Sequence, residues 1–573
     1  MLYSPPVSHQ NNNNGTGSPR LARAALLLAL VFSAASHAQL PPRVQPGQIE
    51  RQFTRPPQAA PTAPQAPVEL FQPAQKVPAN AAAIKFTLKQ IVLEGVTVYQ
   101  ESELQPLYAA LLNREISFAE IYVLANALTT RYRNDGYILS QVIVPAQSVE
   151  SGVVRLQAIE GYVSEVQFEG MEVEPGDLLH AYAQKIQAQR PLRAATLERY
   201  LLLMNDLPGA FVRATLLPSK TQRGAAEMRL QVAQRSALGG VSVDNRGSEA
   251  LGFARYQADG DLNSIFGLQE KIGVRVATSG DKKLEFESVS YEQPLGTEGG
   301  KINLTLNRVR STPNLANAFI VLESESASDS ATFNYLYPVL RSRSENLYLR
   351  AGLSAYNGES YLFSVLETEE RIRAVRIGVN YDLADRFNGI NVIDLEYAQG
   401  LRGLGASRAG DAFLSRAAGR PDFSKINLYA ARLQALSENW SMLGAFSGQY
   451  AFNDLLSPEL YGYGGEQFGR GYDASELTGD HGAALKFELR YKLPRSLTEL
   501  STLYGFYDVG TVRQRSPGGL DATQSAASAG AGLRFNFGRY LSGFVEFAKP
   551  LTRPRAEDGQ NDTQGYAGLS LRF

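Results

Sequence analysis

The chain has no cysteine in its 573 residues, which excludes a disulfide framework and any thiolate metal site. Histidine occurs only four times and tryptophan once. Two of the histidines, His9 and His37, sit near the N-terminus, leaving His180 and His481 for the rest of the chain. There is no Gly-x-Ser-x-Gly elbow, no His-Glu-x-x-His pair and no Walker-type phosphate loop. These gaps argue against an enzyme and give no reason to expect a metal, nucleotide or other cofactor. The formal net charge of -1 lacks the basic stripe of a nucleic-acid binder, so no nucleic-acid partner is expected. Beyond the N-terminal leader, no stretch reaches the roughly 18 apolar residues of a membrane-spanning helix.

The features that are present begin with an export signal. Arg20 and Arg23 precede the apolar run Ala24 to Ala35, which is followed by Ser36, His37 and Ala38. Basic residues, a short apolar core and small residues at alternate positions are the pattern of a cleaved leader, here residues 1–38. The run falls short of the ~20 residues that span a bilayer. An export signal without a stop-transfer helix directs the mature chain to the periplasm, the medium or an outer-membrane barrel. Residues 39–83 then read as a linker. Pro41, Pro42, Pro56, Pro57, Pro61, Pro64 and Pro67 favour extended geometry, and Gly47 to Phe53 offers two helical turns between prolines.

From Ile84 the texture is mixed α and β. Phe86, Leu88 and Ile91 to Leu93 read as strand. Leu104, Leu107, Tyr108 and Leu111 recur at helical spacing, as do Ile121, Leu124, Leu128 and Tyr132. Val142 to Val144 and Val153 to Ile159 return to strand. The same β-α-α-β-β order recurs from Val163 to Val232, giving two tandem modules over residues 84–160 and 161–235.

From residue 236 the helical signal fades and alternation takes over. Leu304 and Leu306 interleave with Asn303, Thr305 and Asn307. Leu485, Phe487, Leu489 and Tyr491 interleave with Lys486, Glu488, Arg490 and Lys492. Period two places one set on each face of a sheet. The polar set is heavily charged, as a wet lumen allows, and the segments approach the ~10 residues of a tilted membrane strand. The chain also ends on such a strand, with Leu569, Leu571 and Phe573 on one face. At about 20 residues per strand and turn, residues 236–573 hold about 16 antiparallel strands of a transmembrane β-barrel.

Several motifs then appear in order. Tyr132-Arg-Asn-Asp-Gly-Tyr137, Val144-Pro-Ala-Gln147 and Glu160-Gly161 occupy the first module, and Asn205-Asp-Leu-Pro-Gly209 the second. Asp244-Asn-Arg-Gly247 opens the barrel, followed by Tyr291-Glu-Gln-Pro-Leu-Gly296 and Tyr337-Pro-Val-Leu-Arg-Ser-Arg343. Gly464-Gly-Glu-Gln-Phe-Gly-Arg-Gly-Tyr472, Gly479-Asp480, Glu488-Leu-Arg490 and Phe506-Tyr-Asp-Val-Gly510 follow. Together they resemble the outer-membrane transporters of two-partner secretion, the hemolysin secretion/activation proteins of the Omp85 superfamily. The resemblance covers nearly all of the mature chain. It implies two periplasmic polypeptide-transport-associated (POTRA) domains ahead of the barrel, a short pore-plugging helix in the linker and an inward-folded sixth extracellular loop.

The resemblance also implies a lock between the loop tip, Arg470, Gly471 and Tyr472, and the barrel-wall motif with Asp508 and Gly510. Arg470 offers a rigid fork of donors to the Asp508 carboxylate. Gly471 would permit a tight backbone, and Tyr472 can pack its ring while still hydrogen-bonding. One departure is Gly469, where the family often carries an apolar residue. In the POTRA modules, Gly136 and Gly161 read as turn glycines, with Tyr132 and Tyr137 as core aromatics. The implied function is capture of an unfolded exoprotein by the exposed strand edges of residues 84–235 and its secretion through the pore. The exoprotein would carry an N-terminal secretion domain and be an adhesin, cytolysin or contact-dependent toxin. Further partners would be outer-membrane lipid and the barrel-assembly machinery. The alternative is an assembly factor of the same superfamily, which inserts other barrels into the membrane.

Overall fold

Period-two alternation folds into a barrel here because the apolar set faces outward. In the computed structural model, sixteen antiparallel strands, counted among the described residues, run from Ala237–Asp244 to Gln564–Arg572, and these two pair to close the sheet. The described residues are 44–53, 69–70, 77–149, 151–316, 321–494, 501–516 and 521–573. The leader and most of the linker lie outside them, and all described residues belong to one unit, Pro42–Phe573. Leu304 and Leu306 are 40% and 48% exposed, and Ile393, Leu395, Leu485, Phe487 and Leu489 are likewise open on the outer surface. Lys425, Glu488 and Asp508 are buried on the inner one. A water-soluble sheet does the reverse; an apolar exterior around a charged interior is the pattern of a barrel solvated by lipid. The three longest strands run far beyond the ten-residue expectation: Val321–Arg341, Glu345–Leu362 and Val365–Ala384, with 21, 18 and 20 residues. Their surplus extends past the rim remote from the N-terminal modules. No helix among the described residues is long and apolar enough to cross a membrane.

The first module pairs Lys85–Leu88 with Arg114–Ser117, and sets Gln90–Glu94 and Gln141–Ile143 on either side of Val153–Ile159. Helix Phe118–Asn134 packs Ile121, Leu124, Leu128 and Tyr132 against Leu88, Val154 and Leu156. Ser117 and Glu120 form its capping box, with the Ser117 N–H donating to the Glu120 carboxylate at 2.6 Å. The helix expected through Leu104 to Leu111 is instead one α-turn, Glu101–Leu104, followed by 3-10 turns at Gln105–Leu107 and Ala109–Leu111. Pro106 is the reason: it has no backbone N–H to carry the α ladder onward. The second module lays helices Leu178–Ala188 and Ala194–Asn205 on strands Tyr162–Glu169, Ala210–Pro218 and Ala225–Gln234. A short linker strand, Glu69–Leu70, pairs with Thr215 and Leu216 at the edge of that sheet.

The joint between the modules is packed. The Glu160 carboxylate accepts the Thr97 N–H at 2.7 Å, the Val98 N–H at 3.2 Å and the Tyr132 hydroxyl at 2.9 Å. Across it, the Leu192 N–H donates to Gly161 and the Ala194 N–H to Gly136. Gly136 is a turn glycine, with φ at 92°. Gly161 is not; a Cβ there would lie 2.4 Å from the Leu139 carbonyl oxygen, so the constraint is close approach. Leu139 itself packs into the core of the second module. That module docks on the barrel through Arg341, which meets Asp206 with two bonds of 2.7 Å, and through Arg199, which donates to the carbonyls of Glu298 and Pro338.

Gly161→Ala should weaken this joint by about 1–3 kcal/mol, since the added methyl has no room. Hydrogen exchange of the amides of Tyr162–Glu169 in the full-length protein measures it, and unchanged protection would contradict the packed joint.

Candidate functional site: an inward-folded loop and a helix in the lumen

Between strands Trp440–Ala451 and His481–Lys492 the chain turns back into the barrel. Two short strands, Tyr461–Tyr463 and Leu477–Gly479, pair with each other and carry the tip, residues 464–472, against the wall. Arg470 is only 2% exposed. Its Nε and Nη2 donate to the two oxygens of Asp508 at 2.9 and 2.8 Å, and its backbone N–H adds a third bond at 3.1 Å. Nη1 donates to Glu488 at 2.7 Å and lies 3.6 Å from Glu546. The guanidinium stacks on Phe506, with its carbon 3.5 Å from the ring centroid. Glu488 is further bound by Arg490 and Arg534, each at 2.7 Å, and Glu546 by Arg246 and the Tyr504 hydroxyl, each at 2.8 Å.

The structure thus brings Arg470 and Asp508 together and sets the glycines apart in role. Next to Arg470 the left-handed residue is Gly469, with φ at 90°, and its N–H also reaches Asp508 at 3.2 Å. Gly471 is needed for proximity instead: a Cβ would stand 2.8 Å from that of Ser528. Gly510 serves the same end, since a Cβ would fall 2.2 Å from the ring of Tyr463, which is fully buried. The Tyr472 hydroxyl lies 3.1 Å from the Ala527 carbonyl. Sequence reasoning missed Glu546, Arg534, Tyr463 and the pairing of Glu488 with Arg470. The available signal was alternation, which places Lys486, Glu488 and Arg490 on one strand face.

The root of the loop is held separately. Arg416 clasps Asp480 with two bonds, 2.7 and 3.0 Å, and donates to the Leu455 carbonyl at 2.6 Å. Glu459 meets Arg376 at 2.6 Å and Lys425 at 2.7 Å. Against this root lies helix α1, Pro46–Phe53, inside the lumen. Gln48 donates to the Ser457 carbonyl at 2.7 Å, and Arg51 to the carbonyls of Pro458 and Leu460. On the opposite side Glu50 accepts from Asn307 at 2.7 Å and Ser330 at 2.5 Å, while Phe53 stacks on Phe286 at 4.3 Å. Of the two remaining histidines, His180 stacks on Phe168, and His481, next to Asp480 at the loop root, packs against Tyr450. Among the described residues no group of side chains forms a metal-binding cluster.

An apolar-walled barrel with an ionic lumen, a loop folded into it and α+β modules at one mouth defines an outer-membrane transporter. Residues 225–535 match the family described as haemolysin secretion/activation protein ShlB/FhaC/HecB, and residues 86–161 match the ShlB-type POTRA domain. The first match spans more than half of the chain, which belongs to this family: outer-membrane transporters of two-partner secretion whose POTRA domains lie in the periplasm. The heme/hemopexin transporter protein HuxB of Haemophilus influenzae (strain 86-028NP) is 23% identical over 559 residues, covering 93% of this chain and 96% of that one. The outer membrane transporter CdiB of Dickeya dadantii (strain 3937) is 25% identical over 416 residues, with 71% and 72% covered. The solved structure of CdiB from Escherichia coli matches with a TM-score of 0.71 at 19% identity, covering 98% of this chain and all of that one, a likeness of fold.

Removing the Arg470 fork leaves Asp508 buried with only the Gly469 and Arg470 backbone N–H groups as donors, a loss of about 3–5 kcal/mol to the docked loop. Arg470→Ala should therefore open residues 464–472 to external protease on intact cells, and Arg470→Lys, which keeps charge but not the fork, should do so partly. Equal protection of all three proteins would show that the fork does not hold the loop.

Proposed function

We propose that residues 84–235 capture an unfolded exoprotein in the periplasm, at free strand edges and helix grooves, and that the chain leaves through the barrel lumen. Arg470, Gly471, Tyr472, Asp508 and Gly510 form the lock that keeps the inward loop in place at rest, and α1 is the plug. The observation that carries this reading is the nature of the lumen contents. Loop tip and helix are held by hydrogen bonds and ion pairs, which water can take over when they move aside, together with the buried rings of Tyr463, Phe468 and Tyr472 and the side chain of Ile49. The partner is an exoprotein with an N-terminal secretion domain. Relatives carry the descriptions heme/hemopexin transporter, outer membrane transporter and hemolysin transporter. The outer apolar band meets outer-membrane lipid, and the barrel-assembly machinery inserts it. The chain acts as a conduit without enzymatic chemistry, and folding of the exported protein outside makes return unfavourable.

The test compares culture supernatants of cells with and without the gene by mass spectrometry. Loss of one large exoprotein, with outer-membrane barrels unchanged, is the expected result. An unchanged supernatant with depleted barrels would replace secretion by membrane assembly. Within the secreting strain, Arg470→Ala and Asp508→Ala should each cut export while the barrel remains in the membrane; full export by both removes the lock. Gln48→Ala combined with Arg51→Ala should raise the open time of single channels in planar bilayers, and an unaltered conductance record would deny α1 the plug role.

A further inference from the structure

The shortest ladder in the barrel wall is the one that closes it. The opening strand Ala237–Asp244 meets the closing strand Gln564–Arg572 in a register from Gly240 opposite Arg572 to Asp244 opposite Gly568, the shortest between neighbouring barrel strands, and at its periplasmic end Gly239 and Phe573 exchange both backbone bonds. Past Asp244 the backbone turns away from its partner. Its ladder is continued by a side chain. The Asn245 N–H donates to the Ala567 carbonyl at 3.2 Å, as a strand residue would, but the returning Ala567 N–H is accepted by the Asn245 side-chain oxygen, at 2.7 Å. The side-chain nitrogen donates to the Gly565 carbonyl at 2.9 Å, two residues further along the closing strand. A primary amide carries the same donor and acceptor as a peptide group, so Asn245 adds a rung where the backbone has none.

Arg246 then crosses the closing strand. Its guanidinium lies over the rings of Tyr566 and Phe544, 4.7 and 4.8 Å from their centroids, and binds Glu546 on the next strand at 2.8 Å. Asp244 braces the turn by accepting the Arg246 N–H and the Arg255 side chain, both at 2.8 Å. Three consecutive residues therefore bind the end of the opening strand to its neighbour on one side and to two strands on the other.

We propose that Asn245 and Arg246 are the clasp of the barrel seam: they hold the junction of first and last strands shut at the extracellular rim, so that an exported chain stays in the lumen rather than leaving sideways into lipid. The clasp goes beyond the loop lock and plug, since it belongs to the wall and acts whether or not either has moved.

The test uses the full-length chain, whose lack of cysteine permits a specific clamp. Ser242 and Ser570 stand opposite each other in the register, so Ser242→Cys with Ser570→Cys gives a disulfide across the seam. Hydrogen exchange of the amides of residues 565–570 is read first. Asn245→Ala and Arg246→Met should each speed it by roughly tenfold, the loss expected when such hydrogen bonds are removed, while strands remote from the seam stay as in the parent. The oxidised clamp should restore the parent rate in Asn245→Ala. Unchanged exchange in both variants overturns the clasp, and so does a rise spread evenly over the barrel, which would mark general instability. Secretion is read second and independently of the loop variants. The oxidised clamp in the otherwise native chain should export as much as its reduced form; export lost on oxidation and regained on reduction would show that the seam opens during transport and overturn the proposal.

Discussion

The buried guanidinium of Arg470 is the constraint from which the lumen's arrangement follows. A charge at 2% exposure must be paired on every side, and here Asp508 and Glu488 take its donors while Phe506 takes its face. Reaching the wall this closely sets the glycines around it. Gly469 turns left-handed so that two successive N–H groups point at Asp508, Gly471 slides past Ser528, and Gly510 leaves the wall flat where Tyr463 lies on it. A buried ion network of this kind contributes less to stability than to register: it admits one position of the loop and opposes its neighbours.

The two halves of the molecule are held by different forces. The periplasmic modules have apolar cores, Leu88, Val154 and Leu156 in one and Val163, Met228 and Leu230 in the other, which no water can replace. Helix α1 is held differently. Beside the Phe53–Phe286 stack, the fully buried Ile49 and the close approach of Gly47 to Pro458, its contacts are amide, guanidinium and carboxylate bonds to carbonyls and side chains of the loop root and wall. The polar groups are nearly as well satisfied in water, so the burial of Ile49 and Phe53 carries most of what favours the docked helix over the hydrated one.

Most of the barrel was legible because lipid inverts a pattern that depends on one residue's neighbours alone. Leu485, Phe487 and Leu489 declare their face within a single strand. The POTRA helix Phe118–Asn134 was legible for the same local reason, whereas the turns around Pro106 were not read correctly because helical spacing was given more weight than one missing N–H. Arg470 and Asp508 were visible only through the resemblance, since no local rule joins residues so far apart in sequence. Glu546 was out of reach altogether. It becomes a neighbour of Arg470 only when the strands bearing Glu488, Asp508 and Glu546 stand within three ladders of one another, a fact of closure rather than of composition. Gly161 looked like a turn and proved to be a contact, because a glycine's reason is written in what lies opposite it.

The wall is also prepared for the loop's absence. Without Arg470, Glu488 still has Arg490 and Arg534, both at 2.7 Å, and Glu546 still has Arg246 and the Tyr504 hydroxyl. Asp508 loses most, yet Lys486 stands directly opposite it on the neighbouring strand, with its ammonium group 5.6 Å from the ring of Phe468 at the loop tip. When the tip departs, that cation loses its aromatic cover at the same moment as the carboxylate beside it loses its donors. Glu488 and Glu546 therefore keep resident cations on the wall, while Asp508 has Lys486 opposite it in register. The energy that separates the lock's two positions is the difference between one set of partners and another, and it is largest at Asp508, whose fork only the loop supplies.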